Sequence, residues 1–317
     1  MNILANDGIS ESGIKKLSQK GFNVDTTKVA QNQLINYINN KQIEVLLVRS
    51  ATQVNKALID ACPQLKIIGR AGVGLDNIDV ATAEKKGIKI INTPTASSRS
   101  VAELAFAHIL GGSRFLHQTN RDMPLDGDMR FKELKKLSTG NELKGKTLGI
   151  IGLGSIGKEL AKLGIGFGMN VIAHTITDKP NEKIRLDFFD GQYLEVNIPL
   201  QTKENLLKQA DFISVHVPAQ KNYLIGEEEF NYIKPGAAII NTARGGVIDE
   251  VALVNALENK KIKFAGLDVF EKEPQPEVQL LMQPEMSLSP HIGGATHEAQ
   301  ERIGEILAEQ IIKIYNV

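Results

Sequence analysis

The run Thr147-Leu148-Gly149-Ile150-Ile151 reads as a buried strand. It passes without a break into Gly152-Leu153-Gly154-Ser155-Ile156-Gly157, and a helical stretch follows from Lys158 to Gly168. Strand, G-x-G-x-x-G and helix in that order constrain the fold more than any other feature of the chain. Gly152 permits the tight turn, Gly154 lets backbone approach a pyrophosphate, and Gly157 lets the helix pack on the strand. The first helical N–H groups then face the anion. A glycine-rich turn with no ligand would account for the glycines alone, but their strand-to-helix setting favours a dinucleotide. The next strand, Asn170-Val171-Ile172-Ala173, runs into His174 and Thr175, where an NAD site usually places Asp or Glu on the ribose. Thr175 can donate to a ribose or to a 2′-phosphate. Asp178 and Lys179 would bias the choice in opposite directions. NAD is the expected cofactor, with NADP admitted by Thr175.

The rest of the chain has the organisation such a motif needs. Before Asn92, short apolar runs (Ile3–Ala5, Phe22–Val24, Val45–Val48, Leu65–Ile68, Ile88–Ile91) alternate with amphipathic stretches at 8–21, 31–39 and 55–61. That alternation indicates βα units and a mostly parallel sheet. A helix is expected from Ser97 to about His117, opened by a Ser100–Glu103 capping box, and a surface connection from Thr119 to Lys146. A second βα series runs from Thr147 to about Ser289, and a last helix from Thr296 to Tyr315. The expected class is α/β, with two doubly wound parallel-sheet domains in 317 residues.

Composition mostly excludes. Thirty-seven basic residues balance 37 acidic ones, so no global field favours nucleic acid or an anionic membrane. A single cysteine, Cys62, excludes an intramolecular disulfide framework and a multi-cysteine zinc site, and no metal is expected. No apolar run reaches the ~18 residues of a membrane helix, and the first residues have no signal-peptide pattern. A soluble cytoplasmic protein is the expectation.

Three further motifs stand at the ends of expected strands. Ala238-Ile239-Ile240-Asn241-Thr242-Ala243-Arg244-Gly245-Gly246 ends in an arginine among small residues. Ala265-Gly266-Leu267-Asp268-Val269-Phe270-Glu271-Lys272-Glu273-Pro274 ends in an acidic loop. Leu288-Ser289-Pro290-His291-Ile292-Gly293-Gly294 sets a histidine between a proline and a glycine break. Ligands of doubly wound sheets sit outside the carboxyl ends of the strands, so the three can converge on one crevice. There an arginine grips a carboxylate bidentately. A histidine exchanges a hydroxyl proton near neutral pH, and a neighbouring carboxylate stabilises its imidazolium. Singly, each has a structural reading: Arg244 as a strand-end cap, Glu273 as a solvated loop charge, and any of the six histidines as a core or surface residue. His108 and His117 lie on helical faces, His174 and His216 at strand ends, and His297 in a helix first turn. Their joint order after the glycine motif is what favours chemistry.

This combination resembles the D-isomer-specific 2-hydroxyacid dehydrogenase family over essentially the whole chain. The resemblance implies an NAD(P)-dependent dehydrogenase whose catalytic residues are Arg244 of ARGG, Glu273 of DVFxxEP and His291 of PHxG. It places cofactor contacts at Val73, Ser155, Ile156, Thr175, Val217, Thr242, Asp268, His291, Ile292, Gly293 and Gly294, beside the motif glycines. It further implies a flavodoxin-like split substrate domain of residues 1–97 plus 290–317, a Rossmann coenzyme domain of 98–289, and a homodimer through the latter.

Within the family the chain looks most like members that oxidise 3-phosphoglycerate to 3-phosphohydroxypyruvate in serine synthesis. The segments that carry this likeness are Val48-Arg49-Ser50-Ala51-Thr52 and Gly69-Arg70-Ala71-Gly72-Val73-Gly74-Leu75-Asp76-Asn77-Ile78-Asp79. Such a substrate has two anionic ends. Arg244 would take the carboxylate, Arg49 and Arg70 the phosphate, and Ser50 and Gly72 would line the same pocket. Ser97 stands where these members often carry Asn, and the segment 181–203 is longer than usual. The C-terminal regulatory domain of longer members has no counterpart in the sequence, so serine feedback through it is not expected. The alternatives are a hydroxypyruvate/glyoxylate reductase and a non-catalytic dinucleotide-sensing protein.

Overall fold

A computed structural model describes residues 1–177 and 179–316, so Asp178 lies outside the described residues. The chain divides into two compact units, Met1–Ser100 with Gly294–Val317, and Val101–Gly293.

The first unit alternates β1 (Asn2–Ala5), α1 (Glu11–Gln19), β2 (Asn23–Asp25), α2 (Leu34–Asn40), β3 (Ile43–Val48), α3 (Lys56–Ala61), β4 (Ile67–Arg70), α4 (Val80–Lys85) and β5 (Lys89–Asn92). Short polar side chains start the helices as N-cap chemistry requires: Ser10 accepts from Gly13 N–H, Asn55 from Leu58 N–H and Asp79 from Thr82 N–H. The five strands are parallel in the order β2-β1-β3-β4-β5, the flavodoxin-like winding whose switch point lies between β1 and β3.

Helix α5 (Ser98–Ser113) carries the chain to the second unit, where α6 (Leu116–Asp126) and α7 (Phe131–Leu137) follow. Two expectations fail here. The expected single helix to His117 breaks at Phe115, which takes a left-handed φ of 56°, and the expected connection 119–146 contains α6 and α7. Ser100 is not an N-cap either. It lies inside α5, and its hydroxyl is 2.8 Å from Thr296 Oγ1.

The second sheet is built from β6 (Thr147–Ile151), α8 (Ser155–Gly166) and β7 (Asn170–His174). A hairpin of β8 (Asn181–Asp187) and β9 (Tyr193–Pro199) comes next. Then follow α9 (Lys203–Gln209), β10 (Phe212–Val215), α10 (Glu227–Tyr232), β11 (Ala237–Asn241), α11 (Glu250–Glu258), β12 (Ile262–Leu267), α12 (Val278–Leu281) and β13 (Met286–Leu288). Six parallel strands stand in the order β13-β12-β11-β10-β6-β7, with the winding reversing between β6 and β10. The long segment after β7 is therefore an antiparallel hairpin; Ile184 and Ile198 pack with Ala173 of β7, and Leu200 just beyond it bridges to Ala173.

The last helix, α13 (His297–Tyr315), belongs to the first unit. Its Ile303, Leu307, Ala308 and Ile311 join Ile3, Leu17 and Val45 in one buried cluster. Cys62 is buried in a second cluster of this unit, with Leu34, Ile38, Leu58 and Ile68, as a small hydrophobe, and burial pushes its thiol pKa up. Among the described residues, no helix is long and apolar enough to cross a membrane.

Candidate active site

Because the six strands of the second unit are parallel, the loops after them emerge on one edge of the sheet. The first is the glycine loop after β6. Gly152 has φ 96°, and a Cβ on it would lie 2.2 Å from the His216 carbonyl oxygen. A Cβ on Gly157 would lie 2.2 Å from the Gly152 carbonyl oxygen, so helix and turn touch backbone to backbone. Gly154 differs: nothing lies within 4 Å of its Cβ position. It caps α8 without a side-chain bond, and the first helical bond runs from Lys158 N–H to Gly154 O. The N–H groups of Ser155, Ile156 and Gly157 precede that bond and have no intrahelical acceptor. A steric requirement for glycine at two positions and open space at the third is what a pyrophosphate cradle needs.

Val217 faces this turn after β10, with Cγ1 3.0 Å from the Gly152 Cβ position. After β7, His174 directs Nδ1 at the Gln201 carbonyl oxygen at 2.9 Å, which fixes the strand end and leaves Thr175 as the next side chain. Lys179 is 4.0 Å from Glu182, which also accepts from Lys158 of α8 at 2.7 Å.

After β11, Asn241 organises the arginine loop. Its Nδ2 donates to Arg244 O at 2.9 Å, its Oδ1 accepts from Ala243 N–H at 3.0 Å, and its carbonyl accepts from Asp268 N–H at 3.0 Å. Gly245 presses on the next loop, where a Cβ would meet the Phe270 carbonyl oxygen at 1.9 Å. Thr242 Oγ1 is buried with no hydrogen-bond partner among the described residues, a donor and acceptor left for a ligand.

The loops after β12 and β13 meet through an ion-pair geometry. His291 Nδ1 and Glu273 Oε2 are 2.7 Å apart, and Glu273 Oε1 accepts from Phe270 N–H at 3.0 Å. The carboxylate is thus anchored to backbone on one oxygen and presented to the imidazole on the other. The His291 and Glu273 side chains are 43% and 35% exposed, open enough to meet a ligand. Asp268 is only 1% exposed. Its Oδ1 accepts from Ser289 Oγ at 2.6 Å and from Ile292 N–H at 2.8 Å, and its Oδ2 accepts from Gly293 N–H at 2.8 Å. His291 itself sits at φ 53°.

The second unit therefore brings together the glycine loop, Thr175, Val217, Thr242, Arg244, Asp268, Glu273, His291, Ile292 and Gly293 at one sheet edge. Asn241 and Ser289, which orient this set, are residues that motif reading passes over; a buried Asn at a strand end is the one signal that flags Asn241. Arg49, Ser50, Arg70, Gly72, Val73 and Gly294 belong to the first unit. There Arg49 and Arg70 leave the ends of adjacent strands, beside the switch point. Arg49 N–H donates to Asp7 Oδ2 at 2.7 Å, and Arg49 O accepts from Asn77 Nδ2 at 2.7 Å. The Arg70 guanidinium lies over Gly72, where a Cβ would come within 1.5 Å of Nη1. Val73 O accepts from Asn92 Nδ2 at 2.8 Å, and Gly294 O from Gln300 Nε2 at 2.8 Å.

Residues 106–293 match the family model of the D-isomer specific 2-hydroxyacid dehydrogenase, NAD binding domain. The chain belongs to the D-isomer specific 2-hydroxyacid dehydrogenase family. The matched segment spans the glycine loop and the loops after β10, β11, β12 and β13. The chain is 41% identical over 318 residues to the D-3-phosphoglycerate dehydrogenase of Methanocaldococcus jannaschii, covering 99% of this chain and 57% of that protein's length. It is also 41% identical, over 314 residues, to the hydroxypyruvate reductase of Thermotoga maritima, covering 97% of this chain and 96% of that protein. A crystal structure of Aquifex aeolicus D-lactate dehydrogenase with NAD and lactic acid superposes with a TM-score of 0.77 at 29% identity, covering 100% of this chain and 96% of that one.

Proposed function

We propose that this member of the family transfers hydride reversibly between a nicotinamide dinucleotide and C2 of a D-2-hydroxy acid. The second unit serves as the coenzyme domain and the first as the substrate domain. The observation that carries the reading is the 2.7 Å contact of His291 Nδ1 with Glu273 Oε2, on the sheet edge that also bears the open glycine cradle. A carboxylate only accepts, so Nδ1 carries the proton on that side and Nε2 is left to take a hydroxyl proton from the substrate. Glu273 then stabilises the imidazolium in place, with no movement needed because Phe270 N–H already holds it. Arg244, carried by the Asn241-pinned loop, grips the substrate carboxylate and polarises C2. When bound, the dinucleotide supplies the hydride acceptor in oxidation and the donor in reduction; Ser155, Ile156 and Gly157 would hold its pyrophosphate and Thr242 a polar group buried beside it. NAD is the proposed partner. Thr175 bears no charge to repel a 2′-phosphate, so NADP is expected to be used less well rather than refused.

The leading substrate is 3-phosphoglycerate, oxidised to 3-phosphohydroxypyruvate for serine synthesis, with its carboxylate assigned to Arg244 and its phosphate to Arg49 and Arg70. Hydroxypyruvate or glyoxylate reduction is the second reading. It is favoured by the equal identity to the Thermotoga maritima reductase, which this chain matches over nearly its full length. A homodimer is proposed through α6, α7 and the turn between them. Leu116, Met123, Leu125, Met129, Phe131 and Leu137 there are large, apolar and exposed, and a second copy would cover them.

The test is a matrix of NAD and NADP against 3-phosphoglycerate, D-glycerate and D-lactate, with the ketoacids in reverse. The proposal expects the highest kcat/KM with NAD and 3-phosphoglycerate. Preference for hydroxypyruvate or glyoxylate would select the second reading. Dinucleotide binding without turnover of any 2-hydroxy acid would overturn both.

A further inference from the structure

A buried histidine beside the site takes no part in the chemistry proposed above. His108 of α5 is 5% exposed and lies against β12 at Gly266, where a Cβ would come within 2.6 Å of His108 Cβ. Both ring nitrogens are engaged: Nδ1 is 2.8 Å from Ser287 Oγ and Nε2 is 3.1 Å from Ser289 Oγ. The acceptor at the far end dictates the direction of every bond. Asp268 can only accept, so Ser289 gives it its single O–H at 2.6 Å. Ser289 Oγ must then accept from His108, which places the ring proton on Nε2 and makes Nδ1 the acceptor for the Ser287 hydroxyl. Burial pushes the imidazole pKa down, so the ring is neutral at pH 7 and carries the one proton this sequence uses. The result is a one-way chain of donors, each polarising the next, that ends on a buried carboxylate. The remaining bonds of that carboxylate go to the N–H groups of Ile292 and Gly293, the two residues that follow His291.

We propose that His108 is a positioning residue for the His291 loop: its Nε2–H fixes the Ser289 hydroxyl on Asp268, and Asp268 so held sets the backbone from which His291 reaches the substrate. This rests on reading His291 as the proton-transferring group. A histidine that merely fills the space beside Gly266 would be replaceable by any side chain of similar volume, whereas a relay needs a donor at the Nε2 position. Glutamine can offer its amide N–H there, asparagine reaches only the Nδ1 position, and leucine fills the volume with no donor.

The experiment compares wild type with His108→Gln, His108→Asn, His108→Leu, Ser289→Ala and the His108→Leu/Ser289→Ala double variant. Each is measured for kcat, KM, dinucleotide Kd and thermal unfolding. We expect kcat to fall on the order of 10-fold in His108→Leu and His108→Asn with Kd little changed. His108→Gln should recover most of the loss, and the double variant should be no slower than the slower single one, because the two act in series. Glutamine no better than leucine, or losses that multiply in the double variant, would overturn the relay. Where a variant does not fold, 15N NMR of the wild-type protein decides: the Nε2–H tautomer at His108 supports the chain and the Nδ1–H tautomer refutes it. Wild-type protein inactive on every D-2-hydroxy acid would instead sink the enzymatic reading, and the tautomer would still report on the hydrogen-bond chain.

Discussion

Two glycines three residues apart should fail in opposite ways when each is given one methyl group. At Gly157 the added Cβ would sit 2.2 Å from the Gly152 carbonyl oxygen and 3.2 Å from Ile150 Cγ2. The turn cannot retreat. Gly152 N–H is bonded to His174 O at 2.9 Å, and its Cα is backed by the His216 carbonyl. Overpacking against backbone costs about 1–3 kcal/mol, and Tm in a unit of this size falls by about 2–4 °C per kcal/mol, so Gly157→Ala should lose roughly 2–12 °C. At Gly154 the backbone is extended (φ −76°, ψ −159°), which alanine adopts freely, and nothing lies within 4 Å. Gly154→Ala should therefore unfold within about 1 kcal/mol of wild type, the difference being an N-cap preference. Its methyl group instead occupies the surface on which a pyrophosphate would rest, and NAD affinity should drop about 10-fold or more, equivalent to about 1.4 kcal/mol. The chain has no tryptophan, so the fluorescence of added NADH can be titrated directly, alongside calorimetric unfolding of the apo protein. Wild-type NADH affinity in Gly154→Ala would refute the placement of the pyrophosphate. Unchanged stability in Gly157→Ala would refute the steric account of the turn.

Other consequences can be checked independently. Burial pushes the His216 pKa from an ordinary 6.5 to about 4. Above pH 6.5 the ring is neutral in both states; between 6.5 and 4 only the unfolded chain takes up the proton. Stability attributable to this group is therefore complete at pH 7, is lost as pH falls from 6.5 to 4, and changes no further below that. The loss amounts to about 3 kcal/mol, and urea unfolding from pH 7 to 4 should show a shallower decline in His216→Asn than in wild type; parallel declines would rule the group out. Arg49→Ala should raise KM for 3-phosphoglycerate much more than for D-lactate, and equal effects would remove the phosphate role. Leu125→Glu with Met129→Glu should shift sedimentation from dimer toward monomer; an unchanged species would place the interface elsewhere.

Much of this architecture is legible in the residues because it is local. The glycine turn lies within one βα unit, and the arginine, glutamate and histidine motifs each close a strand of apolar residues. The hairpin 181–199 hides because only Ile184 and Ile198 are buried along it, too little for an alternating pattern to stand out. The break at Phe115 hides because apolar spacing continues through it, while the left-handed φ is a tertiary outcome. Ser100 and Glu103 have the spacing of a cap, but α5 begins two residues earlier and Ser100 finds Thr296 instead. The His108–Ser289 bond joins positions 181 residues apart, and nothing in either neighbourhood announces the other. The return of α13 to the first unit rests on Leu307 and Ile311 meeting Ile3 and Leu17, which periodicity cannot pair.

The chemistry proposed for this sheet edge turns on one imidazole, and pre-steady-state turnover of His291→Asn measures its part most directly. With 3-phosphoglycerate and NAD, and with whichever D-2-hydroxy acid proves best, NADH formation in a single turnover should fall by about 10²-fold or more, while NADH binding stays near the wild-type value. Formation of NADH at close to the wild-type rate in that variant would contradict the assignment of proton transfer to His291 and, with it, the chemistry proposed for this sheet edge.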